Sequence, residues 1–281
     1  MPEAILSIQS AVAYGHVGNA AAAFILQRLG FDVLRLDTVV FSNHPGRGKF
    51  RGATTESVRL RDLICGLQEQ SLLERASTLL SGYLGTAENG EVVLEALSLM
   101  RKRHSAVLYC CDPVLGDRPK GLYVAPDIPE LVRDRLLPEA DLVMPNSFEL
   151  ELLTGHPVGD RGSAIAAARI LADCGPETVV VTGLPTDDGI ETLAVQRTSA
   201  WVVRTPLLTL PTSGAGDALS ALFLARFIEK RDVPRALSLS VSALHLVLEH
   251  TAKMAADELR LIECQDLLPA PPRLFRAVRA E

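Results

Sequence analysis

Pro211-Thr212-Ser213-Gly214-Ala215-Gly216-Asp217 sets two glycines around an alanine and an aspartate directly after them. It opens onto a long apolar helical pattern beginning Ala218-Leu219-Ser220-Ala221-Leu222-Phe223. Glycines let the backbone turn so that several N–H groups aim at one point, and a helix N-terminus adds partial positive charge there. That chemistry suits an anion, a phosphate above all. A carboxylate at the mouth of an anion-binding turn is an odd choice unless it handles a proton. Taken alone, Asp217 is equally readable as a first-turn cap on a helix that starts with small residues.

Further carboxylates fall where apolar runs stop. Residues 106–111 read as a buried strand ending on Asp112-Pro113, and Asp117 follows in Val114-Leu115-Gly116-Asp117. The carboxyl end of a buried parallel strand is where open α/β sheets place their ligands. Two carboxylates near one such end suit a hard cation such as Mg²⁺, although either can cap a turn. Asn146 follows another strand, residues 140–144, and Pro145; it has Glu149 three positions on and Glu151 beyond. Asn-x-x-Glu reads first as a capping-box variant ahead of a helix over 147–154. If that strand end meets the sheet's switch point, Glu149 becomes a third carboxylate for a metal or its waters. Residues 42–52 (SNHPGRGKFRG) hold three glycines, a proline and three cations with no apolar period. They form a mobile basic excursion, either a lid beside an anion site or an ordinary exposed loop.

The elements that must position these groups follow from apolar periodicity. Residues 4–8 read as a strand ending in Gln9-Ser10. Gly15, Gly18 and Asn19 form a loop before an alanine-rich helix to about Leu29, and 32–41 is a second strand. Strand, helix and strand at this spacing make a βαβ unit with parallel neighbours. Helices are expected over 56–70, 88–102, 126–137 and 163–174, and strands over 77–82 and 178–183, the latter strongly β-branched. Residues 190–204 alternate and predict an antiparallel pair at one sheet edge. One or two helices after the opening motif carry the chain to about Glu263. No repeat or linker divides the sequence, so residues 1–281 read as one doubly wound α/β domain with a small flap.

Composition bounds the function. Of 281 residues, 48% are hydrophobic and 22% charged, and the formal net charge is −6. That balance argues against general nucleic-acid or anionic-membrane binding, and an acidic protein that handles phosphates needs localised cations. The five cysteines lack the paired spacing of a zinc site and read as reduced structural thiols. The first ten residues lack the pattern of a signal peptide, and no apolar run approaches membrane length. A soluble cytoplasmic protein is the expectation.

Taken as a set, the strand-end motifs resemble the pyridoxal kinases of the ribokinase-like superfamily across nearly the whole chain. They are Ser7-Ile8-Gln9-Ser10 with Gly15-His16-Val17-Gly18-Asn19, Phe41-Ser42-Asn43-His44, Ser81-Gly82-Tyr83-Leu84-Gly85, Cys111-Asp112-Pro113-Val114-Leu115-Gly116-Asp117, Pro145-Asn146-Ser147-Phe148-Glu149 and Gly214-Ala215-Gly216-Asp217. The last motif signals only the superfamily; Ser10, Phe-Ser-Asn-His and Ser-Gly-Tyr together are specific to the vitamin B6 branch. The resemblance implies ATP-dependent phosphorylation of the 5′-hydroxymethyl group of pyridoxal, and of pyridoxine or pyridoxamine as alternatives. It implies Asp217 as the base, with Gly214, Ala215 and Gly216 receiving the developing phosphoryl charge. Ser10, His44 and Tyr83 would hold the pyridine ring, with Phe41 as a wall and Pro45 beside it. Glu149 would organise Mg²⁺, with Asp112 and Asp117 near the metal and the phosphates. Asn146, Thr182, Thr212, Ser213 and, more loosely, Tyr123 fall on the nucleotide side. Residues 45–52 become a flap over substrate and ATP, whose Arg47, Lys49 and Arg51 can offset phosphate charge. A homodimer and a monovalent cation are further implications.

Three positions depart from the family's pattern. Pro45 replaces a threonine of many members, which removes one hydroxyl contact to the substrate. Met144 replaces a threonine that lies near a monovalent cation in some members, and Pro211 replaces an aspartate found outside the B6 branch. Two rival readings follow: a hydroxymethylpyrimidine kinase of the same fold, and a B6-binding relative without phosphoryl transfer. A dinucleotide-dependent dehydrogenase is excluded, because Gln9-Ser10-Ala11-Val12 supplies no glycine at the first strand–helix turn.

Overall fold

The computed structural model describes residues 3–104, 106–208, 210 and 213–281. Strand β1 (Ala4–Tyr14) leads through α1 (Asn19–Arg28) to β2 (Asp32–Asn43) and a short β3 (Gly52–Thr54). Then come α2 (Ser57–Glu69), β4 (Ala76–Ser81), α3 (Ala87–Arg101) and β5 (Leu108–Cys111). A small hairpin of β6 (Gly116–Asp117) and β7 (Gly121–Leu122) precedes α4 (Asp127–Leu131), β8 (Leu142–Val143), α5 (Ser147–Thr154) and α6 (Arg161–Ala172). The chain continues with β9 (Thr178–Thr186), β10 (Gly189–Gln196), β11 (Ser199–Thr205), α7 (Ala215–Lys230), α8 (Val233–Lys253), α9 (Leu261–Cys264) and β12 (Val278–Arg279).

All strands except the β6–β7 hairpin join one sheet in the order β12-β11-β10-β9-β8-β5-β4-β1-β2-β3. The strands from β9 across to β2 are parallel. The alternating segment forms β10 and β11, antiparallel at one edge as expected, and β12 adds to them; β3 is antiparallel at the other edge. From β1 the chain steps to β2, then returns to pair β4 on the opposite side of β1 and moves away from there. That reversal is the switch point at which doubly wound sheets open a crevice. Ser10 lies within the second half of β1, at its register shift, and Tyr83 just beyond the carboxyl end of β4.

Each face of the sheet is covered. Leu6 and Ile8 of β1 pack with Leu79 of β4 and with Val93 and Leu97 of α3 on one side. Ile5 packs with Ile25 of α1, Leu222 of α7 and Leu237 of α8 on the other. Burial on both faces is why the central strands read as continuous apolar runs rather than as alternating ones. Cys110, Cys111 and Cys264 are buried and Cys65 and Cys174 exposed, all as free thiols.

Two differences from the sequence reading bear on the site. Strand β1 runs to Tyr14 instead of stopping at Ile8, with a register shift against β2 between Gln9 and Ala11. The polar residues that resembled a strand end are held inside by a buried network. Ser7 Oγ donates to Asn19 Oδ1 at 2.7 Å, and Asn19 Nδ2 donates to Leu36 O at 3.0 Å and to Asp37 Oδ1 at 2.8 Å. Asn19, expected in a loop, therefore begins α1 and pins that helix to both strands. The basic excursion is also shorter: β2 reaches Asn43, a 3₁₀ turn covers Pro45–Arg47, and Gly52 already pairs with Phe41.

Candidate active site

Two glycines bring the chain's first and last motifs together. Gly18 has φ +53, and a Cβ there would lie 2.1 Å from Ser10 O. Gly214 has φ +89, and a Cβ there would lie 1.9 Å from His16 O. Only glycine accepts both the left-handed backbone and the close approach. The 15–18 turn and the turn before α7 therefore pack backbone on backbone. Asp217 lies in the first turn of α7, half-buried, and its carboxylate accepts a hydrogen bond from Gly18 N–H. Burial raises its pKa above the usual aspartate range, and that N–H opposes the rise.

A cavity of about 500 Å³ opens at this junction. Its lining includes Asp112, Asp117, Asn146 and Glu149. Asn146 caps α5: its Oδ1 accepts from Glu149 N–H at 2.9 Å, and Glu149 Oε2 accepts from Asn146 N–H at 2.9 Å. The capping box is real, and Glu149 does more than cap. Its Oε1 accepts from Leu115 N–H at 2.7 Å and Gly116 N–H at 3.4 Å, which fixes the loop leading into β6. Burial pushes the Glu149 carboxyl up to about 7 against these three N–H groups. Asp112 is buried, and its Oδ2 accepts from Ser220 Oγ of α7 at 2.6 Å. Burial, then the negative fields of Glu149 and Asp217, hold its carboxyl well above the ordinary range. Asp117 Oδ2 lies 3.3 Å from Lys120 Nζ, while its Oδ1 is buried without a partner. Among the described residues, no group of three His, Cys, Asp or Glu side chains is gathered tightly enough to enclose a metal by itself.

The lining also includes Ser10, Phe41, His44, Pro45 and Tyr83. His44 Nδ1 lies 3.1 Å from Gly46 N–H and 3.2 Å from Ser213 Oγ, tying the start of the flap to the residue before Gly214. Burial, with Lys120 next, lowers the His44 pKa and favours the neutral imidazole. Thr38 Oγ1 donates to Tyr83 O at 2.6 Å and holds that aromatic residue's backbone. Phe41 packs against Phe50 of the flap with ring centroids 4.8 Å apart. Tyr123, Met144, Thr182, Ser213, Ala215 and Gly216 also line the cavity. Thr212 and Pro211 lie outside the described residues.

Sequence reasoning missed Lys120 and Ser220. Lys120 is the one Lys or Arg among the described lining residues, and its Nζ pairs with Asp117. Its signal was the Arg118-Pro119-Lys120 turn directly after Asp117. Ser220 stands three positions after Asp217, hence on the same helix face. Conversely, Arg47 was expected to offset phosphate charge, but it pairs with Asp257 and Glu258 instead. Lys49 and Arg51 line a separate shallow groove on the flap.

A glycine-turn helix start, a half-buried carboxylate beside it and further carboxylates in the same cavity, at the switch point of a doubly wound sheet, match a phosphotransferase of the ribokinase-like fold. Comparison with known proteins narrows the class. Residues 75–259 match the family model described as phosphomethylpyrimidine kinase. A pyridoxal kinase PdxY of Rubrobacter xylanophilus is 47% identical over 276 residues, 96% of this chain and 95% of that protein. The structure of the pyridoxal kinase of Leishmania donovani in complex with ADP and pyridoxamine superposes with a TM-score of 0.94 at 28% identity, covering 99% of this chain and 100% of that one. The complex of the same enzyme with ADP and pyridoxine also gives 0.94 at 28% identity, covering 99% of each chain. The chain belongs to the pyridoxal kinase family.

Proposed function

We propose that this chain transfers the γ-phosphoryl group of ATP to the 5′-hydroxymethyl group of a B6 vitamer, pyridoxal foremost, giving the 5′-phosphate. The observation that carries this reading is the packing of Gly214 on His16. Asp217 and the start of α7 thereby line one cavity together with Ser10, His44 and Tyr83 and with Asp112, Asp117 and Glu149. The substrate class draws support from where the matches fall. The 47% identical pyridoxal kinase covers 96% of the chain, whereas the phosphomethylpyrimidine kinase model begins at residue 75, after Ser10 and Phe41-Ser42-Asn43-His44.

Phosphoryl transfer needs alignment, charge neutralisation and a base for the hydroxyl proton. Asp217 takes that proton, and its raised pKa makes it a better acceptor near neutral pH than an exposed aspartate. Backbone N–H groups of Gly214, Ala215 and Gly216 face the charge that develops on the transferring group. Ser10 and His44 hydrogen-bond the ring, Tyr83 stacks on it, and Phe41 and Pro45 close its edge. Asn146, Tyr123, Thr182, Thr212 and Ser213 serve the nucleotide. The donor set fits Mg²⁺, a hard cation that prefers carboxylates and retains water. Asp117, with its unpartnered buried oxygen, and Asp112 would hold it directly; Glu149, whose oxygens already hold backbone N–H groups, would act through water. When bound, the ion neutralises nucleotide phosphate charge in an acidic cavity.

The same proposal makes residues 1–281 one catalytic domain, since the site draws on both β1 and α7, and makes the protein a cytoplasmic homodimer. Light scattering reads the oligomeric state. No helix among the described residues is long and apolar enough to cross a membrane. A coupled assay with ATP, Mg²⁺ and each of pyridoxal, pyridoxine, pyridoxamine and hydroxymethylpyrimidine tests the activity. Pyridoxal is expected to turn over fastest. Turnover of the pyrimidine alone would establish the rival kinase, and tight pyridoxal binding without product would establish a binding protein.

A further inference from the structure

Glu258 lies between α8 and α9, outside every motif discussed above, and its side chain is only 12% exposed. Its Oε2 accepts a hydrogen bond from His16 N–H at 3.1 Å. Its Oε1 receives Arg47 Nη1 of the flap at 2.8 Å. Arg47 also pairs through Nη2 with Asp257, and its guanidinium lies over the Tyr14 ring, 5.2 Å from the centroid. Gly15 packs directly on the carboxylate, since a Cβ there would come within 2.6 Å of Oε2. One carboxylate thus holds the 15–18 turn on one side and the flap on the other.

That turn is the surface on which the proposed catalytic groups rest. Gly214 packs on His16 O, and Gly18 N–H donates to Asp217. The flap residues just before Arg47, namely His44, Pro45 and Gly46, line the cavity. We propose that Glu258 is a positioning residue for phosphoryl transfer. It fixes His16, and through it Gly214 and Asp217, and couples that arrangement to docking of the flap through Arg47. This rests on the reading of Asp217 as the base. The Arg47 end of the ion pair stays 31% exposed and partly screened, so its loss costs a modest share of stability, whereas displacing a reacting group by about 1 Å costs on the order of 10²-fold in rate. Loss of Glu258 should therefore register in turnover far more than in folding.

The test uses the full chain with pyridoxal, ATP and Mg²⁺, comparing wild type with Glu258→Ala, Glu258→Gln, Arg47→Met and the Glu258→Ala/Arg47→Met double variant. Glu258→Ala should lower kcat on the order of 10²-fold with little change in KM for ATP. Arg47→Met should act mainly on KM for pyridoxal. The double variant should lose less than the product of the two single effects, because the Arg47–Glu258 contact is shared while the Arg47 contacts with Asp257 and Tyr14 are not. Glu258→Gln retains an acceptor for His16 N–H and should recover most of kcat while matching Arg47→Met in KM. Gly15→Ala, which crowds the carboxylate, should reproduce the Glu258→Ala defect. Wild-type kcat in Glu258→Ala, multiplicative effects in the double variant, or a loss of kcat that follows a lowered Tm and disappears on cooling would each overturn the proposal. An active wild type with an unaffected Glu258→Ala removes this proposal alone. A wild type inactive on every vitamer removes the kinase reading, and this proposal with it.

Discussion

Glu149 holds three backbone N–H groups on two oxygens, an arrangement that only a carboxylate can satisfy. In Glu149→Gln the amide must point its own N–H at one of those donors, whichever way it is turned. A buried polar group left without a partner costs about 1–3 kcal/mol, so urea denaturation should show a loss of that size. The same variant should need more Mg²⁺ for half-maximal rate, and an unchanged metal titration would leave Glu149 with its structural role alone, capping α5 and holding the loop into β6. Asp217→Asn is a contrasting case, because its carboxylate accepts one N–H and the amide oxygen can take it over. Turnover should fall by roughly 10²- to 10⁴-fold, the range for a lost general base, while calorimetry should find pyridoxal and ATP still bound. Near-normal turnover would remove Asp217 from the role.

At the level of elements, α7 depends on its approach to the 15–18 turn. Gly214→Ala would force a left-handed alanine onto His16 O, straining the backbone by about 1–3 kcal/mol. It should also move the helix start, with a loss of turnover on the order of 10²-fold; wild-type kcat in that variant would separate the helix start from the chemistry. The βαβ opening, the antiparallel edge and the helix over 147–154 were legible because local periodicity and capping residues mark them. Strand β12, the length of β1 and the place of Asn19 were not, because each is decided by partners distant in sequence. Asn19 looked like a loop residue and became the hub of a buried network once β1 and β2 supplied its acceptors. The described site residues were legible for a different reason. Strand ends in a doubly wound sheet converge, so residue types at successive strand ends identify one crevice. Lys120 and Glu258 escaped that logic because they belong to a hairpin and to a connector between helices.

The whole molecule carries a charge conflict in its site. Burial raises both Asp112 and Glu149, Glu149 to about 7 from an ordinary value near 4.5. The folded state therefore holds these protons more tightly than the unfolded chain does. Stability of the ligand-free protein should fall as pH rises from the ordinary carboxylate range through about 7. Mg²⁺ with nucleotide should oppose that fall by favouring the ionised carboxylates. Thermal melts between pH 5 and 8, with and without Mg²⁺ and ADP, check this; a ligand-free Tm that climbs across that window would contradict it.

The hydrogen bond from His16 to Glu258 joins residues 242 positions apart, and the contact of Ser213 with His44 spans 169. Contacts this remote form late, after the loop-closure entropy of the intervening chain has been overcome. On a ribosome, β1, β2 and β4 can pair well before α7 and Glu258 have emerged. The emerging sheet then has its switch point but lacks Asp217 and the glycine turn. With Asp217 as the proposed base, phosphoryl-transfer competence should arrive only with the completed fold, and chains truncated before α7 should not consume ATP.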